Sequence, residues 1–144
     1  MSGINHLRIV FFAFVTFLFL SCDKDNDTPM DTPDEPVPDN GMVILQGNFS
    51  GNRNYSVSGT ARIIDQAGKK ILRFENFSTS NGPDLKVYLA SDAGASRFIN
   101  LGNLKSTSGN QNYDITGMPD FSQYPLAMIW CEQFGALFGS ATLK

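Results

Sequence analysis

The chain has 144 residues, 42% of them hydrophobic, and a formal net charge of −3 at pH 7. The negative charge is concentrated between Asp23 and Asn40, where one base faces seven acids, while from Gly41 onward nine bases face seven acids. A length of this order allows one domain, and a weak, scattered positive charge leaves no electrostatic footprint for nucleic acid.

Residues 1–21 read as a secretory signal. His6 and Arg8 open it, Ile9 to Leu20 is apolar except for Thr16, and the small Ser21 precedes Cys22. A helix of those twelve residues would rise roughly 18 Å, short of the roughly 30 Å core of a bilayer. The segment Leu18-Phe19-Leu20-Ser21-Cys22 resembles the cleavage site of bacterial lipoprotein signals. That resemblance implies acylation of Cys22, with palmitate or a similar chain. It also implies a lipid anchor in the cell envelope, at the outer membrane and on its exposed face if the chain is displayed. The other reading is an ordinary secretory signal with an incidental cysteine. At about 0.8 kcal/mol per buried CH₂, two or more acyl chains give stable anchoring.

Residues 22–40 are expected to be the acylated cysteine and a linker. Four prolines, seven acids and no aromatic residue follow Cys22. Such a composition buries too little apolar surface to offset its ordering entropy, so it is expected to be disordered. Its 18 residues would reach roughly 56 Å when extended. Asp23-Lys24-Asp25-Asn26-Asp27 resembles the export tags of surface-displayed lipoproteins, and serves equally well as a solvated spacer.

Residues 41–144 form the expected domain. Short alternating runs and turn signals recur every ten to fifteen residues, the pattern of an all-β fold. We expect an antiparallel β-sandwich or partly closed barrel of about eight strands. Met42 to Ser50 is the first strand. Tyr55 to Ile64 is the second, with Tyr55, Val57, Gly59, Ala61 and Ile63 on one face. Lys70 to Phe77 is the third, with Leu72, Phe74 and Asn76 opposite Ile71, Arg73, Glu75 and Phe77. After the turn signal Asn81-Gly82-Pro83, Asp84 to Ala90 is the fourth, with Leu85, Val87 and Leu89 inward and Lys86 and Tyr88 outward. Phe98 to Leu101 and Asn110 to Ile115 are the fifth and sixth. Gly117 to Gln123 is compatible with a single helical turn. Tyr124 to Glu132 and Leu137 to Leu143 complete the set, and Gly139 and Ala141 leave room for a bulky neighbour.

The only histidine is His6, which leaves with the signal. A mature chain without histidine has no Ser-His-Asp triad and no Cys-His pair. Histidine-based zinc, copper and non-haem iron sites are excluded with them. Asp23-x-Asp25-x-Asp27 lacks the glycine and distal glutamate of a calcium loop. No phosphate-binding glycine loop is present, and the domain's seven acids show no clustering that would suggest glycoside hydrolysis.

With Cys22 acylated, Cys131 has no partner in the chain. Ala127, Ile129 and Cys131 share one side of their strand, and Leu126, Met128 and Trp130 share the other. Two readings stand. Cys131 is either a small buried hydrophobe, or a redox thiol or cofactor ligand with Trp130 and Met128 as neighbouring candidates.

From Gly47 to Leu143 the chain resembles the DM13 family, described as electron-transfer-like. The resemblance rests on Gly47-Asn48-Phe49, Val57-Ser58-Gly59, Gly82-Pro83-Asp84-Leu85-Lys86-Val87-Tyr88-Leu89 and Leu101-Gly102. It continues through Gly109-Asn110-Gln111-Asn112-Tyr113-Asp114-Ile115, Ile129-Trp130-Cys131 and Phe138-Gly139. It implies that Cys131 is the family's single cysteine, working as a bare thiol or as a ligand to a group such as haem. It also implies a protein redox partner of unknown identity. Many members carry histidine where this chain has Asn54-Tyr55, so one candidate second ligand is missing. Met118 or Met128 could replace it in principle. The competing function is a surface-displayed binding or structural module in which Cys131 is core.

Overall fold

In a computed structural model of the chain, residues 33–144 are described. The expected signal, Cys22 and the linker as far as residue 32 lie outside them. Eight strands run in chain order: β1 Met42–Gly51, β2 Val57–Gln66, β3 Lys69–Thr79, β4 Leu85–Ala90, β5 Phe98–Asn103, β6 Ser108–Ile115, β7 Leu126–Cys131 and β8 Ala136–Thr142. They form one sheet in the order β5-β4-β7-β8-β1-β2-β3-β6, every neighbour antiparallel. The edge strands β5 and β6 approach each other, so the sheet curls into a nearly closed barrel. The all-β expectation of about eight antiparallel strands is borne out. Among the described residues no helix is long and apolar enough to cross a membrane.

β1 joins the two halves of the barrel. Its first part, from Met42 to Asn48, pairs with β2, and Phe49 to Gly51 pair with β8. A strand that changes partners needs a close approach at the changeover. Gly139 supplies it, because a Cβ there would lie 2.5 Å from the Ser50 carbonyl oxygen and 2.6 Å from Val57 Cγ2. The room expected at Gly139 is filled by the backbone of β1 and by Val57.

The core is the barrel interior. Phe74 packs edge-on against Phe49 (centroids 4.9 Å) and stacks on Phe77 (4.9 Å), with Tyr113 at 5.2 Å. Leu85, Val87, Leu89, Ala127, Ile129 and Phe138 fill the β4–β7–β8 side. Burying each phenylalanine contributes roughly 1.5–3 kcal/mol. Phe77 was expected to face away from Phe74, yet both are in this core. The register of β3 against β6 shifts between them, and Asn76 takes a left-handed φ of 49°. One extra residue in a strand moves the next side chain to the opposite face. Gly59, at φ +107°, makes the facing irregularity in β2, where any Cβ would meet the β3 backbone.

Two further expectations are corrected. Within Gly117 to Gln123 only Phe121 to Gln123 forms a turn, closed by the Gln123 N–H donating to the Asp120 carbonyl at 3.0 Å, and there is no helix. There Asp120 accepts bonds from the Ser122 N–H (3.0 Å) and hydroxyl (2.6 Å), so a local side chain satisfies the backbone a helix would have used. The linker, expected to be disordered as far as Asn40, is held against the barrel from Asp34 onward. Asp34 bridges to Asn110 in parallel along the free edge of β6. The Glu35 carboxylate accepts from Lys105 Nζ (2.6 Å) and the Asn112 N–H (2.9 Å). Arg73, only 3% exposed, donates to the Glu35 and Pro36 carbonyls at 2.8 and 3.0 Å. Its charge is balanced by Glu75 at 2.9 Å, which also holds Arg62 at 2.8 Å. Polar groups matched across a long sequence separation order a segment whose own composition could not.

Candidate functional site

The strand from Leu126 to Cys131 separates two environments. β7 lies between β4 and β8, with Leu85 opposite Cys131 on one side and Ala136 on the other. Because side chains alternate, Cys131 points into the barrel and Trp130 and Met128 point out. Cys131 is fully buried and belongs to the interior cluster. Met128, equally buried, belongs to a separate cluster on the outer face with Tyr88 and Ala90, against which Trp130, Leu126 and Leu137 pack. The structure therefore does not bring Cys131 together with Trp130 or Met128, its neighbouring candidates. Met118 lies far out in solvent at 78% exposure.

A cleft of about 560 Å³ opens near the inner site, lined by Asn52, Arg53, Asn54, Tyr55, Ala136 and Leu137 among others. It reaches Ala136, the cross-strand neighbour of Cys131, without reaching Cys131. Tyr55 lies face to face with Phe138 at 3.8 Å. Asn52 ties this end down, its N–H donating to the Phe138 carbonyl (2.8 Å) and its side-chain amide to the Leu137 carbonyl (3.0 Å). A haem ligated by Cys131 does not fit this packing. The sulfur has no open side, and the cleft lined by Asn54 and Tyr55 stops at Ala136. Among the described residues no three of His, Cys, Asp and Glu gather in a metal-binding group.

The outer face carries a buried tyrosine hydroxyl bonded to a carboxylate. Tyr88, opposite Met128, is only 2% exposed although it faces away from the barrel. Phe98 covers it, stacked at 4.3 Å and 14°, and Trp130 lies nearly parallel at 6.4 Å and 20°. Its hydroxyl donates to Glu132 Oε1 at 2.6 Å. Burial, then the hydrogen bond to Glu132 and that carboxylate's charge, hold the Tyr88 hydroxyl well above the ordinary tyrosine range. Lys86 sits beside this pair, 2.8 Å from Asp84 and 3.9 Å from Glu132, and it also bonds Asn103. These carboxylates raise the Lys86 pKa, the hydrogen bond to Asp84 most of all.

A family model, described as Electron transfer DM13, matches residues 48–143. The chain belongs to the DM13 family. The match covers all of the barrel except the first part of β1 and the end of the chain. Comparison with curated proteins and with solved structures gave no match. As a DM13 domain the chain carries the family's electron-transfer description, and its barrel supplies one face for each candidate. The thiol is inside, and an aromatic cluster with a carboxylate is outside. Sequence reasoning placed Tyr88 outward but missed its partner. The signal was there in principle, because Tyr88 and Trp130 fall on the same face of adjacent strands. Glu132 follows two residues after Trp130, again on that face.

Proposed function

We propose that the chain is an electron-transfer module held at a cell-envelope membrane by lipid on Cys22, and that Cys131 serves it as a sealed core thiol. The match to Electron transfer DM13 over residues 48–143 carries the electron-transfer role. The lipid anchor rests on the Leu18-to-Cys22 segment. The sealed thiol is supported by the full burial of Cys131 among apolar side chains. Reactive cysteines work as thiolates in partly exposed, electropositive surroundings, and the interior of this barrel offers neither.

Protein-film voltammetry of the full chain tests the reading. The wild type should exchange electrons with the electrode, and Cys131→Ala should keep that response. A silent wild type would overturn the electron-transfer role and favour a binding or structural module, for which a buried Cys131 is equally suited. A response lost in Cys131→Ala at unchanged stability would overturn the sealed thiol. For the anchor, Cys22→Ser should move the protein from the membrane to the soluble fraction. A Cys22→Ser chain still bound to membrane would refute lipid attachment there.

A further inference from the structure

The outer face of β4 and β7 holds a tyrosine that packing alone does not explain. Tyr88 is buried between Phe98 and Trp130, and phenylalanine would fill that space as well. The hydroxyl is instead aimed at a carboxylate, Glu132 Oε1, at 2.6 Å. Asn100 Nδ2 lies 3.4 Å from the same oxygen, and Lys86 Nζ lies 3.9 Å from the other. A phenol hydrogen-bonded to a carboxylate has a base in place to take its proton, which eases its one-electron oxidation.

We propose that Tyr88 is a proton-coupled redox site, with Glu132 as its proton acceptor and a one-electron metal-centre oxidant outside the chain as its electron acceptor. The proposal rests on the electron-transfer reading. In the step, the oxidant gains one electron from Tyr88 and the Tyr88 O–H bond breaks. The proton forms a new O–H bond on Glu132. Phenol and carboxylate become neutral phenoxyl radical and carboxylic acid. Re-reduction by one electron returns the proton to Tyr88.

Three features favour this path. Electron loss alone would leave a phenol radical cation, a strong acid, bonded at 2.6 Å to the carboxylate of Glu132, so the proton leaves with the electron. Transfer along the existing bond leaves Tyr88 neutral. Prior ionisation is disfavoured, since burial and then the bond to Glu132 push the Tyr88 hydroxyl above its ordinary range. Protonating Glu132 does not strand Lys86, which keeps Asp84 at 2.8 Å. Tyr113 gives an internal comparison. It is also buried, but its hydroxyl donates to the neutral amide oxygen of Gln111 at 2.6 Å, which is a poor base.

The test is photo-oxidation of the full chain by an external ruthenium polypyridyl oxidant, followed by freeze-quench electron paramagnetic resonance. In a chain with the more exposed Tyr55 and Tyr124 replaced by phenylalanine, the parent and Tyr113→Phe should both give a tyrosyl radical, and Tyr88→Phe should not. Glu132→Gln should slow formation of the radical about tenfold or more, as expected from losing a hydrogen bond to a charged base. Melting curves of the variants close to wild type would show that the losses are not unfolding. A radical that persists in Tyr88→Phe, or an unchanged rate in Glu132→Gln, would overturn the proposal. Two results separate it from the reading beneath it. A voltammetric response untouched by Tyr88→Phe would refute the Tyr88 site while leaving electron transfer intact. A Tyr88 radical in a chain with no voltammetric response would support the site and refute the module.

Discussion

Replacing Cys131 by serine puts a hydroxyl where the barrel has no partner for it. The side chain is fully buried, between Leu85 on β4 and Ala136 on β8, in a layer of aliphatic and aromatic groups. The size change is small, so the cost is mainly desolvation of an unpaired hydroxyl, about 1–3 kcal/mol from protein mutational data. Cys131→Ala loses the sulfur's packing but buries no polar group, and should cost about 1 kcal/mol, as for other small deletions in a core. For a domain of this size about 4 °C of melting temperature corresponds to each kcal/mol, so serine should lower Tm by roughly 4–12 °C and alanine by less. Urea denaturation, with the single Trp130 as fluorescence probe, measures both variants. A serine variant as stable as wild type would refute the sealed environment. So would an alanine variant less stable than the serine one.

Other consequences follow from the same packing. Arg73→Ala removes the guanidinium that clamps the Glu35 and Pro36 carbonyls. It should cost about 3 kcal/mol, the lower end for breaking a buried charged network, and speed proteolysis between residues 33 and 41; unchanged protease resistance would argue against the clamp. Gly139→Ala forces a methyl against the Ser50 carbonyl and Val57 and should destabilise by about 1–3 kcal/mol through overpacking; a neutral result would mean that β1 is not so close. Asp65, Asp92 and Asp120 have lowered pKa values, Asp65 first through its bond from Lys70, Asp92 through Ser91 and Asp120 through Ser122. Their stabilising contribution should be complete above the ordinary aspartate value of about 3.9 and fade as pH falls through the folded values. An acid titration that is flat through this window would contradict those bonds. Tyr88, Tyr113 and Lys86 have raised values. Their contribution should hold below about pH 10 and be lost above it, with tyrosinate absorbance from Tyr88 and Tyr113 appearing only as the fold is lost. Early ionisation of both in the native barrel would contradict their burial.

Most of the barrel could be read from alternation. In β4, Leu85, Val87 and Leu89 face the core as their spacing requires, and in β6 Tyr113 and Ile115 do the same. The misread positions are those where something other than period two decides. Asn76 adopts a left-handed conformation, and that local change reverses the facing of Phe77. Tyr88 faces outward yet is buried, because Phe98, ten residues later and on an edge strand, folds over it. Gln111, fully buried, looked like one more polar residue of β6. Its amide is satisfied by the Ser106 and Ser108 carbonyls, and its side-chain oxygen accepts from Tyr113. Asp34 and Glu35 had the composition of disorder, and their partners Asn110, Asn112 and Lys105 lie some seventy residues away. Contacts of that separation leave no local trace. At the candidate site, alternation placed Cys131 and Trp130 on opposite faces. It could not say which face would be closed to solvent and which would gain a carboxylate partner.

That the Cys131 thiol is sealed inside the barrel is tested most directly by its reactivity. In Cys22→Ser only one thiol remains, so modification by an aromatic disulfide reagent reports that sulfur alone. The sealed arrangement predicts no labelling of the native chain beyond the rate of global unfolding, and full labelling in denaturant. Rapid modification of the native chain, with the melting temperature unchanged, would place the thiol within reach of solvent and contradict it.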